Sequence, residues 1–310
     1  MSKVVVTGYT GFVGKNLMQS LVNDSYDVYG LNSSGCDLRD PIATENLFKS
    51  IRPDCIIHLA ALCGGIGANK ANPGKFMNTN LQIGMNTVNA ALHAGVKKFI
   101  NVGTICAYPK FAPIPFKEED MWNGYPEETN APYGIAKRAI TELLMAYERQ
   151  YGFHSVNLYP TNMYGPFDNF DPASSHVIPA IILKVYNAMC KGEGKILLWG
   201  TGAATRDFLY VDDFCQVIRL ALDINPGSEP INIGTEAEYS IYETTEIICE
   251  LMGFKGEVVW DDSQPDGQPR RCVDSSRATA RLGYELTTNL RTGLKQTIEW
   301  FIRGKKKGVL

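Results

Sequence analysis

Short apolar runs and helically spaced segments alternate along the first half of the chain. Lys3-Val-Val-Val-Thr7 opens the pattern as a run suited to a strand buried on both faces. Apolar spacing then predicts a helix over 15–22, a strand over 27–31, a helix over 41–50 and a strand over 54–59. A long helix over 73–95 and a strand over 98–102 follow. Asn130-Ala-Pro132 reads as a helix start, with Asn130 as the cap and proline in the first turn. That helix runs to about Tyr151, and the next strand covers 155–159. Strands that alternate with helices in this way build a parallel, right-handed, doubly wound sheet.

The alternation breaks after Tyr159, and a second, smaller lobe is expected from there. It holds a helix carrying Lys184, strands over 195–199 and 231–235, and an amphipathic helix over 290–307 with Trp300 and Phe301. Two stretches have no period. Residues 111–130 are rich in proline and acids and are expected to form a long surface segment folded over the site. Residues 262–271 are polar, with a turn at Asp266-Gly267. Lys305-Lys306-Lys307 reads as a solvated terminus.

Composition narrows the function classes. The chain has 310 residues and a net charge of −3, so no general affinity for nucleic acid or membrane surfaces is implied. The first strand begins at once, and no apolar run is long enough to span a bilayer, so a cytoplasmic protein is expected. The 8 cysteines form no Cys-x-x-Cys and no zinc-like cluster with histidine. Mostly core thiols and no metal are the expectation.

The first strand leads into Gly8-Tyr9-Thr10-Gly11-Phe12-Val13-Gly14. A tight turn, close backbone approach to a pyrophosphate and close helix packing each need a residue without Cβ. The following helix offers free N–H groups and the positive end of its dipole to phosphate. A glycine trio placed between strand and helix marks a dinucleotide site. The fold expected is therefore α/β: a doubly wound parallel (Rossmann) sheet with a smaller C-terminal substrate-binding lobe. The nucleotide part would take 1–160 and 206–234, the substrate part 161–205 and 235–310.

Other cofactor contacts follow from the sheet edge. Asn32-Ser33-Ser34 at the second strand's tip carries no acid to chelate both ribose hydroxyls, which favours NADP(H). Arg39 is the nearest cation to a 2′-phosphate. Asp37, beside Leu38, would meet the adenine edge or cap the helix after it. Ala60 and Ala61 are small enough for a cofactor to pass over, and Cys63–Gly67 reads as a flexible loop lining sugar and nicotinamide. His58, inside an apolar strand, reads as a core histidine.

Val102 and Gly103 end a buried strand, and Thr104 and Cys106 stand where it leaves the sheet, at the edge where open parallel sheets bind ligands. Tyr133 and Lys137 are four residues apart, on one face of a helix. An ammonium beside a phenol favours the phenolate and would lower the phenol's pKa.

These motifs, with Arg206-Asp-Phe-x-Tyr-Val-Asp-Asp213, resemble the extended short-chain dehydrogenase/reductase family over nearly the whole chain. Within it the chain is most similar to the GDP-4-keto-6-deoxy-mannose 3,5-epimerase–4-reductases. Cys106-Ala-Tyr-Pro-Lys110, Pro160–Phe170, Ser175-His-Val-Ile-Pro-Ala180, Trp199-Gly-x-Gly202 and Pro265-Asp-Gly-x-Pro-Arg270 carry that likeness. The resemblance implies that Tyr133 protonates O4 as NADPH reduces C4, with Lys137 holding the ribose and Thr104 bonding the same oxygen. It implies Cys106 and His176 as the acid/base pair at C3 and C5. Val102, Gly103, Pro160, Asn162, Met163 and His176 would complete the cofactor site. Asn162, Lys184, Trp199, Arg206 and Asp266 would face the GDP-sugar. A homodimer packed through the helices over 73–95 and 133–151 is implied as well.

Thr10, and the absence of arginine at the second strand's tip, depart from arginines that some members place near the NADP phosphate. A colitose-type enzyme that epimerises C5 only is the near alternative. A 4,6-dehydratase would carry Asp-Glu where Ile105-Cys106 stand, and a 4-epimerase would not explain Cys106 with His176. A non-enzymatic NADP-binding scaffold is the alternative from another class.

Overall fold

The computed structural model describes residues 2–21, 26–172, 174–264 and 268–308. The first half of the chain runs β1 (Lys3–Thr7), α1 (Phe12–Leu21), β2 (Asp27–Leu31), α2 (Pro41–Ile51), β3 (Cys55–His58), α3 (Ile66–Ala71), α4 (Pro73–His93), β4 (Lys98–Val102), α5 (Ala131–Tyr151) and β5 (Ser155–Pro160). The chain continues through β6 (Asn162–Tyr164), α6 (Val177–Lys191), β7 (Lys195–Trp199), β8 (Thr205–Tyr210), α7 (Val211–Asp223) and β9 (Pro230–Ile233). It ends in β10 (Glu238–Ser240), α8 (Ile241–Met252), β11 (Glu257–Asp261), β12 (Arg270–Arg271), α9 (Ser276–Leu282) and α10 (Leu290–Lys306).

The main sheet has 6 strands in the order β2-β1-β3-β4-β5-β9. Every pairing in it is parallel. β1 lies between β2 and β3, so the chain reverses direction across the sheet there and opens a crevice at the strands' carboxyl ends. Both faces are covered. Leu17, Phe214, Val217, Ile218 and Ala278 bring α1, α7 and α9 onto one face, against Val4, Val6 and Ile57. Phe48, Val88, Ala91, Ile140 and Leu144 bring α2, α4 and α5 onto the other, against Val5 and Ile56. Alternate residues of β1 therefore feed opposite cores, which is why the strand reads as a continuous apolar run. His58 is buried and its Nδ1 lies 3.0 Å from Thr7 Oγ1. Burial lowers its pKa to about 3, the state of a neutral core histidine.

A second core gathers α6, α8 and α10 around Tyr164, Ile181, Val185, Phe208, Ile248 and Phe301. Here β6, β8, β10 and β12 form one small sheet and β7 pairs with β11 in another. Glycines in left-handed conformation close α5, α6, α8 and α9 at Gly152, Gly192, Gly253 and Gly283.

Three expectations need correction. Residues 111–130 are not merely a surface segment: Phe116 and Met121 are buried with Tyr108, Tyr159 and Val273. Glu118 is buried too and accepts from Asn232 N at 2.9 Å, so this stretch seals the β9 edge. Asn130 occupies the cap position of α5 but makes no capping bond; its amide donates to Glu127 instead. Asp37 does not cap α2, because Asp40 does, accepting from Ile42 N and Ala43 N.

Between β6 and α6, Asp168 is 7% exposed and accepts from Asn169 N at 2.7 Å through Oδ1, while its Oδ2 is buried without a partner. Burial raises its pKa to about 7. The folded state therefore holds this proton more tightly than the unfolded chain. The stability it lends is full below about pH 4 and is lost as pH rises towards 7, on the order of 4 kcal/mol in all. Asp168→Asn keeps a neutral group there at every pH. Its Tm relative to wild type is expected to rise by several degrees between pH 4 and pH 8 in calorimetry. A pH-independent difference would contradict the assignment.

Candidate active site

Gly8 follows β1 with φ of 72°, and its N–H donates to Leu31 O at 2.7 Å. A Cβ on Gly8 would stand 2.8 Å from Ala60 N, and one on Gly14 would stand 2.5 Å from Tyr9 Cα. The loop must therefore lie directly against β3's exit and against the first turn of α1. Tyr9 in turn lies over Gly30, where a Cβ would meet its ring at 2.6 Å. The result is a bare backbone cradle at a helix N-terminus, which fits a dinucleotide's pyrophosphate. Ala60 and Ala61 border it after β3, and Ala60 N donates to Thr7 Oγ1 at 3.2 Å.

The β2 tip behaves as a turn, with Asn32 Oδ1 accepting from Gly35 N at 3.1 Å and Ser33 and Ser34 exposed. Beyond it Arg39 forms a bidentate pair with Asp37 at 2.6 Å and 2.9 Å. That pair holds the Asp37 carboxyl at about 2. Arg39 is thus already engaged, and a 2′-phosphate would have to draw it away from Asp37.

At the end of β4 the chain turns tightly. Thr104 caps a single 3-10 turn over Ile105–Ala107, accepting from Cys106 N at 3.3 Å. α5 lies against this turn at Gly134, where a Cβ would overlap Cys106 O. One turn of α5 thereby brings Tyr133 close to the Thr104 hydroxyl and to Cys106. The Tyr133 ring meets Phe76 of α4 edge-on at 6.4 Å. Its hydroxyl also lies 3.3 Å from Cys63 Sγ.

Electrostatics here differ from the expectation. Burial, with Cys63 and Cys106 nearby, holds the Tyr133 phenol well above its ordinary value, and only the Thr104 bond pulls it down. Lys137 is 6% exposed, and burial lowers its own pKa. Desolvation is the largest influence on both groups.

His176 sits at the first turn of α6 with no capping bond of its own. Its backbone segment reaches the cluster through Gly65 N, which donates to Ser174 O at 3.3 Å. The residue is exposed, and desolvation by the protein around it lowers its pKa. Pro160 ends β5 at the same sheet edge, and Asn162 and Met163 begin β6 beyond it. Asn162 Nδ2 donates to Asp207 O at 3.1 Å. Lys184 is further along α6, donating to Leu197 O at 2.8 Å beside a groove of about 600 Å³. Trp199 is 69% exposed at the end of β7. Arg206 lies in β8, in register with Arg271 of β12. Asp266 lies outside the described residues.

Comparison with known proteins gives the same reading. The model of the NAD dependent epimerase/dehydratase family matches residues 4–234. The chain belongs to that family. Among its relatives, GDP-L-fucose synthase 1 of Arabidopsis thaliana is 39% identical, over 97% of this chain and 94% of its own. GDP-L-fucose synthase of Escherichia coli (strain K12) is 36% identical, over 98% of both. The crystal structure of a GDP-L-fucose synthetase from Naegleria fowleri bound to NADP superposes with a TM-score of 0.89, at 28% identity over 100% of this chain and 96% of that one.

One residue beside Cys106 escaped the sequence reading. Arg271 Nη1 lies 3.6 Å from Cys106 Sγ, whereas its neighbour Arg270 turns to the other face and pairs with Glu238. Cys63 belongs to a stretch expected to be a flexible loop. Instead α3 begins at Ile66, and two buried asparagines tie down the residues around the thiol. The tight contact of α5 on the Cys106 turn carries a prediction. Gly134→Ala forces backbone apart and is expected to cost about 1–3 kcal/mol. It should also lower turnover, since Tyr133 and Cys106 would no longer keep their spacing; an unchanged Tm and kcat would refute the tight fit.

Proposed function

We propose that this chain is an NADPH-dependent 3,5-epimerase and 4-reductase that converts GDP-4-keto-6-deoxy-D-mannose to GDP-L-fucose. One observation carries the reading: a single turn sets both Thr104 and Cys106, with Arg271 on its sulfur, beside Tyr133. A reductase alone needs the first pair; a second acid/base group so close to the ketone suits a site that also exchanges the carbons beside it. The names of the relatives support GDP-L-fucose synthesis, and the NADP-bound structure supports NADP(H) as cofactor.

The chemistry follows from the ketone. A carbonyl at C4 acidifies the hydrogens on C3 and C5, and inverting each carbon needs groups on opposite faces of the ring. Cys106 and His176 fill those roles: a thiol/thiolate and an imidazole both exchange protons near neutral pH. Thr104 and Tyr133, bonded to O4, stabilise the enolate oxygen during exchange and the alkoxide during reduction. Bound NADPH supplies the hydride for C4. Tyr133 gives its proton to O4, and Lys137 holds the nicotinamide ribose and steadies the phenolate left behind. Asn162, Lys184, Trp199, Arg206 and Asp266 take the GDP-sugar. Residues 1–160 with 206–234 serve the cofactor, and 161–205 with 235–310 the sugar nucleotide. α4 and α5, which pack side by side, supply the two-fold contact of a homodimer.

The test is incubation with GDP-4-keto-6-deoxy-mannose and NADPH in deuterated water, followed by NMR. Reductant loss, deuterium at C3 and C5 and a GDP-L-fucose product are expected. Deuterium at C5 alone would replace this reading with the colitose-type one, and reduction without exchange would leave a plain 4-reductase. Comparable efficiency with NADH would overturn the NADPH assignment.

A further inference from the structure

Cys63 is the one thiol in the described structure that touches the phenol assigned to proton donation, and no role above uses it. Its Sγ lies 3.3 Å from Tyr133 Oη, across 70 residues of sequence. The contact is held from behind. Asn80, 3% exposed on α4, accepts from Leu62 N at 2.9 Å and donates to Leu62 O at 3.0 Å, fixing the peptide just before the thiol. Asn69, 2% exposed on α3, donates to Gly64 O at 2.8 Å and to Gly65 O at 3.1 Å, fixing the two peptides just after it. A surface loop left to itself would not need two buried amides, each of which is costly to desolvate. They hold Cys63 at the phenol.

A tyrosine hydroxyl donates once and accepts more than once. Cys63 lies within hydrogen-bonding distance of this one and Thr104 stands beside it, so the direction of the thiol's bond decides where the phenol's proton points. If the thiol donates to the phenol oxygen, the phenolic hydrogen is free to turn towards the sugar's ketone. We propose that Cys63 is a positioning residue for Tyr133: its thiol donates to the phenol oxygen and aims the phenolic proton at the substrate carbonyl. The inference rests on the proposed ketone reduction. It adds that Cys63 acts on kcat through Tyr133 and not through substrate binding.

The test compares wild type, Cys63→Val and Cys63→Ser by NADPH oxidation with GDP-4-keto-6-deoxy-mannose. Valine matches the thiol in size and cannot donate; serine can. Cys63→Val is expected to lower kcat about tenfold, with KM and NADPH affinity within about twofold of wild type and Tm unchanged. Cys63→Ser should recover kcat to within about threefold. Wild-type kcat in Cys63→Val, or no recovery in Cys63→Ser, would overturn the proposal. A second measurement needs no substrate: the rate at which iodoacetamide alkylates Cys63, mapped by mass spectrometry. Tyr133→Phe removes the hydroxyl that touches that sulfur, and alkylation should slow at least threefold because the thiolate loses a donor. An unchanged rate would show that the two groups do not interact. If wild type failed to reduce this ketone, the function proposed above would fall, and the alkylation result would still decide the Cys63–Tyr133 contact.

Discussion

Tyr133→Phe is expected to lower ketone reduction by about 10²–10⁴-fold, the usual contribution of a positioned proton donor. The change removes one oxygen and keeps the ring, so the edge-on contact with Phe76 survives and the helix is undisturbed. NADPH affinity should stay within about twofold, because the glycine cradle and Lys137 are untouched. What is lost is specific. The ketone oxygen gains charge as the hydride arrives, and without the phenol only Thr104 remains to meet it. The pH dependence has a defined sign. Burial raises the phenol above its ordinary value of about 10, so Tyr133 keeps its proton throughout the neutral range. Wild-type reduction should therefore show no alkaline loss from Tyr133 below that value. Steady-state kcat and fluorescence-detected NADPH binding check both halves. Normal kcat in the variant would remove Tyr133 from the chemistry, and lost binding would recast it as a cofactor ligand.

Much of this site was legible because it depends on short-range geometry. Tyr133 and Lys137 share a helix face by spacing alone, and the glycines between β1 and α1 announce a turn that only they can make. The strands over 27–31, 98–102 and 195–199 have the bounds their apolar runs suggest. Elsewhere the decisive contacts are distant in sequence. Arg271 meets Cys106 across 165 residues, and β6 gains its strand geometry only by pairing Asn162 with Phe208. Three-residue strands such as β6 and β10 are too short to show a period. The buried Glu118 was hidden for another reason. Its acidic neighbours read as solvated, and nothing local says that Asn232 waits for one of them with a backbone donor. The phenol's shift was misjudged because a cation's effect was weighed without burial, which is a tertiary quantity.

Cys106→Ala and His176→Asn should separate the two activities of one site. Each removes one acid/base group and leaves Thr104, Tyr133 and Lys137 in place. Exchange of C–H for C–D is expected to fall at least 10²-fold at one or both carbons, while hydride delivery to C4 continues. The product should then be the unepimerised 4-alcohol in place of GDP-L-fucose. His176 adds a pH signature. Desolvation lowers its pKa, so the imidazole is neutral at pH 7 and ready to accept a proton. The acid limb of the exchange rate should lie below about pH 6.5, the ordinary imidazole value, and His176→Asn should abolish it. In Cys106→Ala that limb should persist on whatever exchange remains, because the imidazole is untouched. Deuterium incorporation by NMR across pH reads each case. If both variants still exchanged C3 and C5 at wild-type rates, the acid/base pair would lie elsewhere. If both lost reduction as fully as exchange, epimerisation would have to precede hydride transfer obligatorily, since only the inverted ring would then present C4 correctly beneath Tyr133.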